Sequence, residues 1–181
     1  MTVWELRLPV TTPRLTLRGH RDDDLDDLVV FHGDPQVTRY IPWPVRTPEQ
    51  TRAALAAKLD RTTAGPGEWI ILAVEESATG TVIGEVLLKH DEDAEVGYVL
   101  RTDRQGRGLA SEAVSALLDA ATTELGVTAV VAVVVDGNDA SVRLLRRLGF
   151  TPDGPGPRTV DGEPTTRFRR ASAGAQGSRH P

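Results

Sequence analysis

The residues with the clearest chemical capacity lie in Gln105-Gly106-Arg107-Gly108-Leu109-Ala110, between a β-rich run and a long helical pattern. Two glycines in four residues let the backbone turn tightly so that its N–H groups converge. A helix starting directly afterwards adds the positive end of its dipole. Such a loop suits phosphate or pyrophosphate, and Arg107 can add a charge. Upstream, Glu95 is an acid embedded in the run Ala94-Glu95-Val96-Gly97-Tyr98-Val99-Leu100. Downstream, Asn138-Asp139-Ala140-Ser141 makes a polar helix start after an apolar strand, and Leu148-Gly149-Phe150 closes the unit. The chain has no cysteine, which removes thiolate nucleophiles, disulfides and Zn–thiolate sites. His20, His32, His90 and His180 lack metal-ligand spacing, so no metal is expected and each reads as a surface residue.

The elements that must hold these residues follow from local patterns. With 181 residues, 39% hydrophobic and 26% charged, the chain reads as one globular domain over 1–170. Residues 171–181 are poor in apolar side chains and read as a disordered tail. Arg14 to Arg18 alternates as a half-buried strand. A helix follows with Asp22 to Asp24 in its first turn, Leu25, Leu28, Val29 and Phe31 buried, and the acids on a solvated face. Gly33-Asp34-Pro35 ends it, and Tyr40 to Pro44 is a proline-restrained loop. Thr47-Pro48-Glu49-Gln50 starts a second helix, capped by Thr47 and carried on by Leu55, Lys58 and Leu59. Trp69–Glu75 and Thr81–Leu88 form a hairpin, and Ala94–Leu100 adds a strand. Leu109–Leu125 is a helix closed by Gly126, and Thr128–Val135 is a strand buried on both faces. Asn138 caps a last helix, and two strands flank Asp161-Gly162. The expected order is β, α, α, β, β, β, α, β, α, β, β, a mixed α/β sheet with helices on its faces.

Charge excludes some partners. Asp22, Asp23, Asp24, Asp26 and Asp27 account for a net charge of −5, so no basic face marks a nucleic-acid binder. No apolar stretch approaches the ~20 residues of a membrane span, and no secretory signal is visible, so a cytoplasmic protein is expected.

Taken together, these motifs resemble the Gcn5-related N-acetyltransferase (GNAT) superfamily, whose acetyl-CoA loop Gln/Arg-x-x-Gly-x-Gly/Ala is matched by Gln105, Gly108 and Ala110. Pro13-Arg14-Leu15-Thr16-Leu17-Arg18, Ile83-Gly84, Glu95-Val96-Gly97-Tyr98 and Asn138-Asp139-Ala140-Ser141 resemble the branch that includes the RimJ and RimL ribosomal-protein N-terminal acetyltransferases. The likeness covers about residues 12–170. It implies a mostly antiparallel GNAT sheet of about seven strands and four helices. It also implies direct acetyl transfer from acetyl-CoA to a primary amine, either a protein N-terminus or a small amine, in a ternary complex without a metal. A strand that splays from its neighbour would offer amides at Val99, Leu100 and Arg101 to the pantetheine arm and carbonyl. Gln105, Gly106, Arg107, Gly108, Leu109 and Ala110 would hold the pyrophosphate, with Asn138 on the pantetheine amides. Glu95 is the first choice of base, acting through a water, with Glu85 second; if residue 85 pairs with 97, both face one side. This chain carries no tyrosine where many relatives keep their thiolate acid; Ser141 resembles the serine that the RimL-like branch carries in the first turn of the last helix, which implies it as the donor, the alternative being a hydrogen bond within that turn. Tyr40 and Trp43 would line the acceptor pocket, and Arg143, Arg146 and Arg147 could meet a CoA phosphate unless they form a solvated face. Members of the branch are often dimers. The competing classes are a non-catalytic acyl-CoA sensor and a nucleotide-binding enzyme. The nucleotide enzyme is opposed by Ser111 standing where a third glycine belongs and by the missing Walker lysine.

Overall fold

The computed structural model describes residues 2–171. All of the expected tail except Ala171 lies outside the described residues, as does His180; Ala171 itself ends a strand. The elements are β1 (Trp4–Glu5), β2 (Val10–Thr11), β3 (Leu15–Arg18), α1 (Leu25–His32), α2 (Pro35–Thr38), α3 (Pro48–Ala56), β4 (Thr63–Ala64), β5 (Trp69–Glu76), β6 (Thr81–Lys89), β7 (Ala94–Leu100), α4 (Leu109–Leu125), β8 (Ala129–Val135), α5 (Asp139–Arg147), β9 (Thr151–Pro155) and β10 (Thr165–Ala171). An eight-stranded sheet runs β2-β3-β5-β6-β7-β8-β10-β9, and β1 pairs with β4 in a separate ribbon. Among the described residues only β7 and β8 are parallel neighbours.

The mixed α/β architecture is the expected one, with small differences that have local causes. The two-residue strands β1, β2 and β4 are too short to show a period of two in sequence. Asp34-Pro35, read as a helix stop, is also a start: the Asp34 side chain accepts from the Gln36 N–H and proline takes the first turn of α2. Asp22–Asp24 forms a 3-10 turn leading into α1. Thr47 and Gln50 close the expected capping box of α3, which ends at Ala56 so that Lys58 lies in the following turn.

Each sheet face has its own layer. α4 buries Val114, Leu117 and Ala121 against Ala94, Val96 and Leu100 of β7 and Val130, Ala132 and Val134 of β8. On the other face Leu28, Phe31 and Leu55 of α1 and α3 cover Ala73, Val82 and Val99.

This second layer contains charge as well as hydrocarbon. Glu85 pairs with Val99 rather than residue 97, and the two-residue difference still leaves Glu85 and Glu95 on one face. Glu85 is not an accessible acid: it is 1% exposed. Lys58 donates to its Oε1, His20 Nε2 lies 3.1 Å from that oxygen, and His32 Nε2 lies 3.7 Å from Oε2. His20 and His32, expected at the surface, are therefore core residues, while His90 stacks on Trp4 with ring centroids 4.0 Å apart. Asp24 also leaves the expected solvated face. Arg18 grips both its carboxylate oxygens at 2.7 and 2.9 Å and reaches Glu75 at 2.6 Å. Asp27 turns inward too, accepting the Val82 N–H at 2.8 Å.

Buried charge is tolerated only when balanced. Burial opposes a proton on His20, but Asp24 and Glu85 outweigh it and raise the pKa. Burial lowers that of His32. Burial would raise Glu85, but the two imidazoles and Lys58 hold it well below the carboxylate range. Arg18, Lys58 and protonated His20 then face Asp24, Glu75 and Glu85, with His32 neutral. The stability contributed by protonated His20 is complete below its unfolded pKa of ~6.5 and is lost as pH rises through the raised folded value. Denaturant unfolding should show stability falling above neutrality by up to about 1.4 kcal/mol per pH unit. His20→Gln should flatten that slope; an unchanged slope would mean the imidazole is buried neutral.

Candidate active site

The site begins where two strands part. β7 and β8 share only the register pairs Ala94 with Val130 and Glu95 with Val131. Beyond Glu95 the β7 edge facing β8 has no strand partner, while its other edge stays paired with β6. Arg101 donates its N–H to the Ile83 carbonyl at 2.8 Å, so that amide, expected to face the cleft, is committed to β6. Ladder alternation then turns the Leu100 N–H toward the open side. Gly84 accommodates this stretch, because a Cβ there would collide with the Val99 carbonyl.

Two helices point into the fork. Gly106 (φ 75°) and Gly108 (φ 76°) adopt the left-handed backbone that makes the loop into α4 so tight. The Gln105 side chain ties this loop to the Leu100 carbonyl at 3.0 Å. Asn138 caps α5 by accepting from the Ser141 N–H at 3.2 Å. Between them lies a cleft of ≈ 520 Å³ walled by Gln36, Val37, Tyr40 and Ile41, by Tyr98 to Leu100, by residues 104–106 and 108–111, and by Asn138 and one face of α5. The first-turn N–H groups of α4 have no acceptor within their own helix, which equips this end for an anion. Arg104, Arg143 and Arg147 line the cleft with no carboxylate among its lining residues, although the chain is acidic overall. Arg146, grouped with them by sequence, is not part of this lining.

The structure brings together Tyr40, Val99, Leu100, Gln105, Gly106, Gly108, Leu109, Ala110, Asn138 and Ser141. Arg101 and Arg107 lie outside this lining; the Arg101 side chain is paired with Asp103. Trp43 also lies outside it, packed edge-on to His32 at 6.4 Å with Arg46 over its ring. Glu85 lies beneath the helices, and Glu95 stands at the closed end of the fork, half-buried. Burial raises the Glu95 pKa, with Lys89 opposing and Asp91 adding to the effect.

Sequence reasoning missed Tyr98. Its hydroxyl is buried in the cleft next to Ser141, with no aligned hydrogen bond, and burial pushes its pKa up. The chain does have a cleft tyrosine, supplied by a strand instead of the last helix. The alternation that placed Ala94, Val96 and Leu100 on one face could have found it.

Comparison with known proteins fits this geometry. Residues 14–151 match the model of the acetyltransferase (GNAT) domain. The chain is 33% identical over 146 residues to the N-acetyltransferase p20 of Bacillus licheniformis, covering 79% of this chain and 82% of that protein. A GNAT-family acetyltransferase from Bacillus anthracis superposes with a TM-score of 0.79 at 20% identity, covering 91% of this chain and 98% of the other. RimL, the ribosomal L7/L12 α-N-protein acetyltransferase solved with coenzyme A, superposes with a TM-score of 0.73 at 21% identity, covering 91% and 97%. With parted strands, a two-glycine loop at a helix start and a family model spanning most of its length, the chain belongs to the GNAT family of N-acetyltransferases.

Proposed function

We propose that this chain transfers an acetyl group from acetyl-CoA directly to a primary amine in a ternary complex, the acceptor being the α-amine of a polypeptide. The observation that carries the reading is the union, in one cleft, of an unpaired strand edge with the glycine loop at the start of α4. The loop and first-turn amides hold the pyrophosphate, with Arg143 or Arg147 close enough to the cleft to meet a further phosphate. The Leu100 N–H faces the thioester carbonyl, where a preorganised donor contributes roughly 2.7–4 kcal/mol to stabilising an oxyanion. The likeness to RimL supports a protein N-terminus as acceptor. Such an amine has a pKa of ~7.7–8.0, so an appreciable fraction is neutral near pH 7.5 and a modest base suffices.

Glu95 is that base. Glu85 is unsuited, because it is buried and committed to Lys58 and the two histidines. Glu95 lies four residues before Val99 on the same face, about 13 Å along the strand. At that distance it works through a chain of waters passing over Gly97, which puts no side chain between them. At the donor end Tyr98 and Ser141 supply the proton taken up by the departing CoA thiolate.

A second reading, a non-catalytic acyl-CoA sensor, would keep the glycine loop but lack proton-transfer groups, and the Tyr98 and Ser141 hydroxyls in the cleft favour the transferase over it. Thiol release should depend on an added amine, tested with peptides of varied N-terminal residue and with small amines. Glu95→Gln should lower kcat about 100-fold or more with little change in acetyl-CoA binding. CoA binding by calorimetry without turnover on any amine would instead favour the sensor. Tyr98→Phe should lower kcat about 10-fold or more at unchanged KM for acetyl-CoA, and adding Ser141→Ala should cost little further if the two hydroxyls act as a unit. Independent effects that multiply would separate their roles.

A further inference from the structure

Arg14 belongs to the chain's opening motif, lies outside the cleft lining, and has so far been given no part in the chemistry. Its side chain runs from the start of β3 to the first turn of α4. There Nε and Nη2 both reach Glu112 Oε2, at 2.7 and 2.6 Å. Its own backbone N–H donates to Glu112 Oε1 at 3.0 Å, and the Thr12 hydroxyl donates to the same oxygen at 2.6 Å. The remaining arm, Nη1, donates to the carbonyl of Arg107 at 3.0 Å. One guanidinium therefore joins the N-terminal turn, the first turn of α4 and the glycine loop.

We infer that Arg14 is the positioning residue for the pyrophosphate-binding loop, an assignment that rests on the acetyl-CoA reading above. Two consequences of its geometry carry this. In a trans peptide the C=O and the following N–H point in opposite directions. Holding the Arg107 carbonyl toward Arg14 therefore turns the Gly108 N–H the other way, toward the cleft that Gly108 lines. Without this hold the Arg107–Gly108 peptide plane is less restrained, because Gly108 on its far side imposes little preference on φ. The second consequence is electrostatic. Burial would push the Glu112 carboxyl up, but Thr12 and Arg14 hold it below the ordinary carboxylate range, so it is charged. A bare carboxylate in the first turn of α4 would oppose a phosphate at the same helix end, and Arg14 neutralises it.

Arg14 thus acts on the pyrophosphate through the loop without touching the reacting atoms, and its removal should weaken only ligands that carry the pyrophosphate. The experiment compares calorimetric Kd values for CoA and for pantetheine, which lacks it, in the wild type, Arg14→Gln and Arg14→Lys. Lysine keeps a charge for Glu112, which protects the fold, but loses the forked geometry that also holds the Arg107 carbonyl. Both variants should raise the Kd for CoA about 10-fold, leave that for pantetheine within about twofold, and retain wild-type kcat at saturating acetyl-CoA. Equal weakening of both ligands, or no weakening of either, would overturn the assignment. Failure of the wild-type protein to bind CoA at all would instead overturn the acetyl-CoA reading on which it stands.

Discussion

The parting of β7 from β8 after two register pairs is the constraint from which the rest of the site follows. A strand edge without a partner exposes backbone groups that a folded protein must pair, cover or use. Here the opening lies between two helices whose starts meet at it, α4 behind its glycine loop and α5 behind Asn138. The glycines at 84, 106 and 108 fit the same demand. One admits the Val99 carbonyl, and the other two adopt the left-handed turn that leads into α4. Tyr40 joins the walls across this gap, its hydroxyl donating to the Gly137 carbonyl at 3.3 Å.

The opposite sheet face is governed by charge. Hydrocarbon packing could hold α1 and α3 in many nearly equivalent positions, whereas Glu85 accepts only an arrangement that brings Lys58, His20 and His32 to it. Removing one partner from such a group leaves an uncompensated buried charge, which costs about 3–5 kcal/mol in comparable pairs. The network runs on through His20 to Asp24, Arg18 and Glu75, so it links α1, β3 and β5 as well. An acid engaged in this way anchors helices and is unsuited to accepting substrate protons. On the proposed reaction, that separation of tasks between two carboxylates on one sheet face leaves Glu95, with its raised pKa, as the base.

What could be read from the sequence was what short-range physics encodes. The bounds of β7 and α4, the Thr47 capping box and the glycine loop emerged because each is written in a few neighbouring residues. Glu85 was misread as an accessible acid because its partners come from positions 20, 32 and 58, and no spacing rule joins them. The same limit hid Arg14, which meets Glu112 and Arg107 roughly a hundred residues away. Tyr40 and Trp43 were assigned together to an acceptor pocket on the strength of the resemblance, but the loop carries Tyr40 to the cleft wall and turns Trp43 onto His32. Tyr98 was hidden for another reason: the donor role was assigned by resemblance to a first-turn serine of the last helix, although strand alternation already directed Tyr98 to the α4 face.

The two sides of the sheet therefore carry different kinds of specificity. On the proposed reading, recognition on the donor side falls largely to backbone N–H groups and helix ends, which suit a phosphate-bearing thioester whatever the surrounding side chains. On the acceptor side, the covered part of the face is fixed by the Glu85 network and cannot adapt to a substrate. The uncovered part holds Trp69, Ile71, Leu87 and Gly97, all half-buried, with Glu95 at its end. On the proposed reaction an acceptor must cross this strip to reach the fork. Its apolar floor favours the flat backbone and small side chains of an extended N-terminus, while the single carboxylate with a raised pKa gives the amine a place to lose its proton.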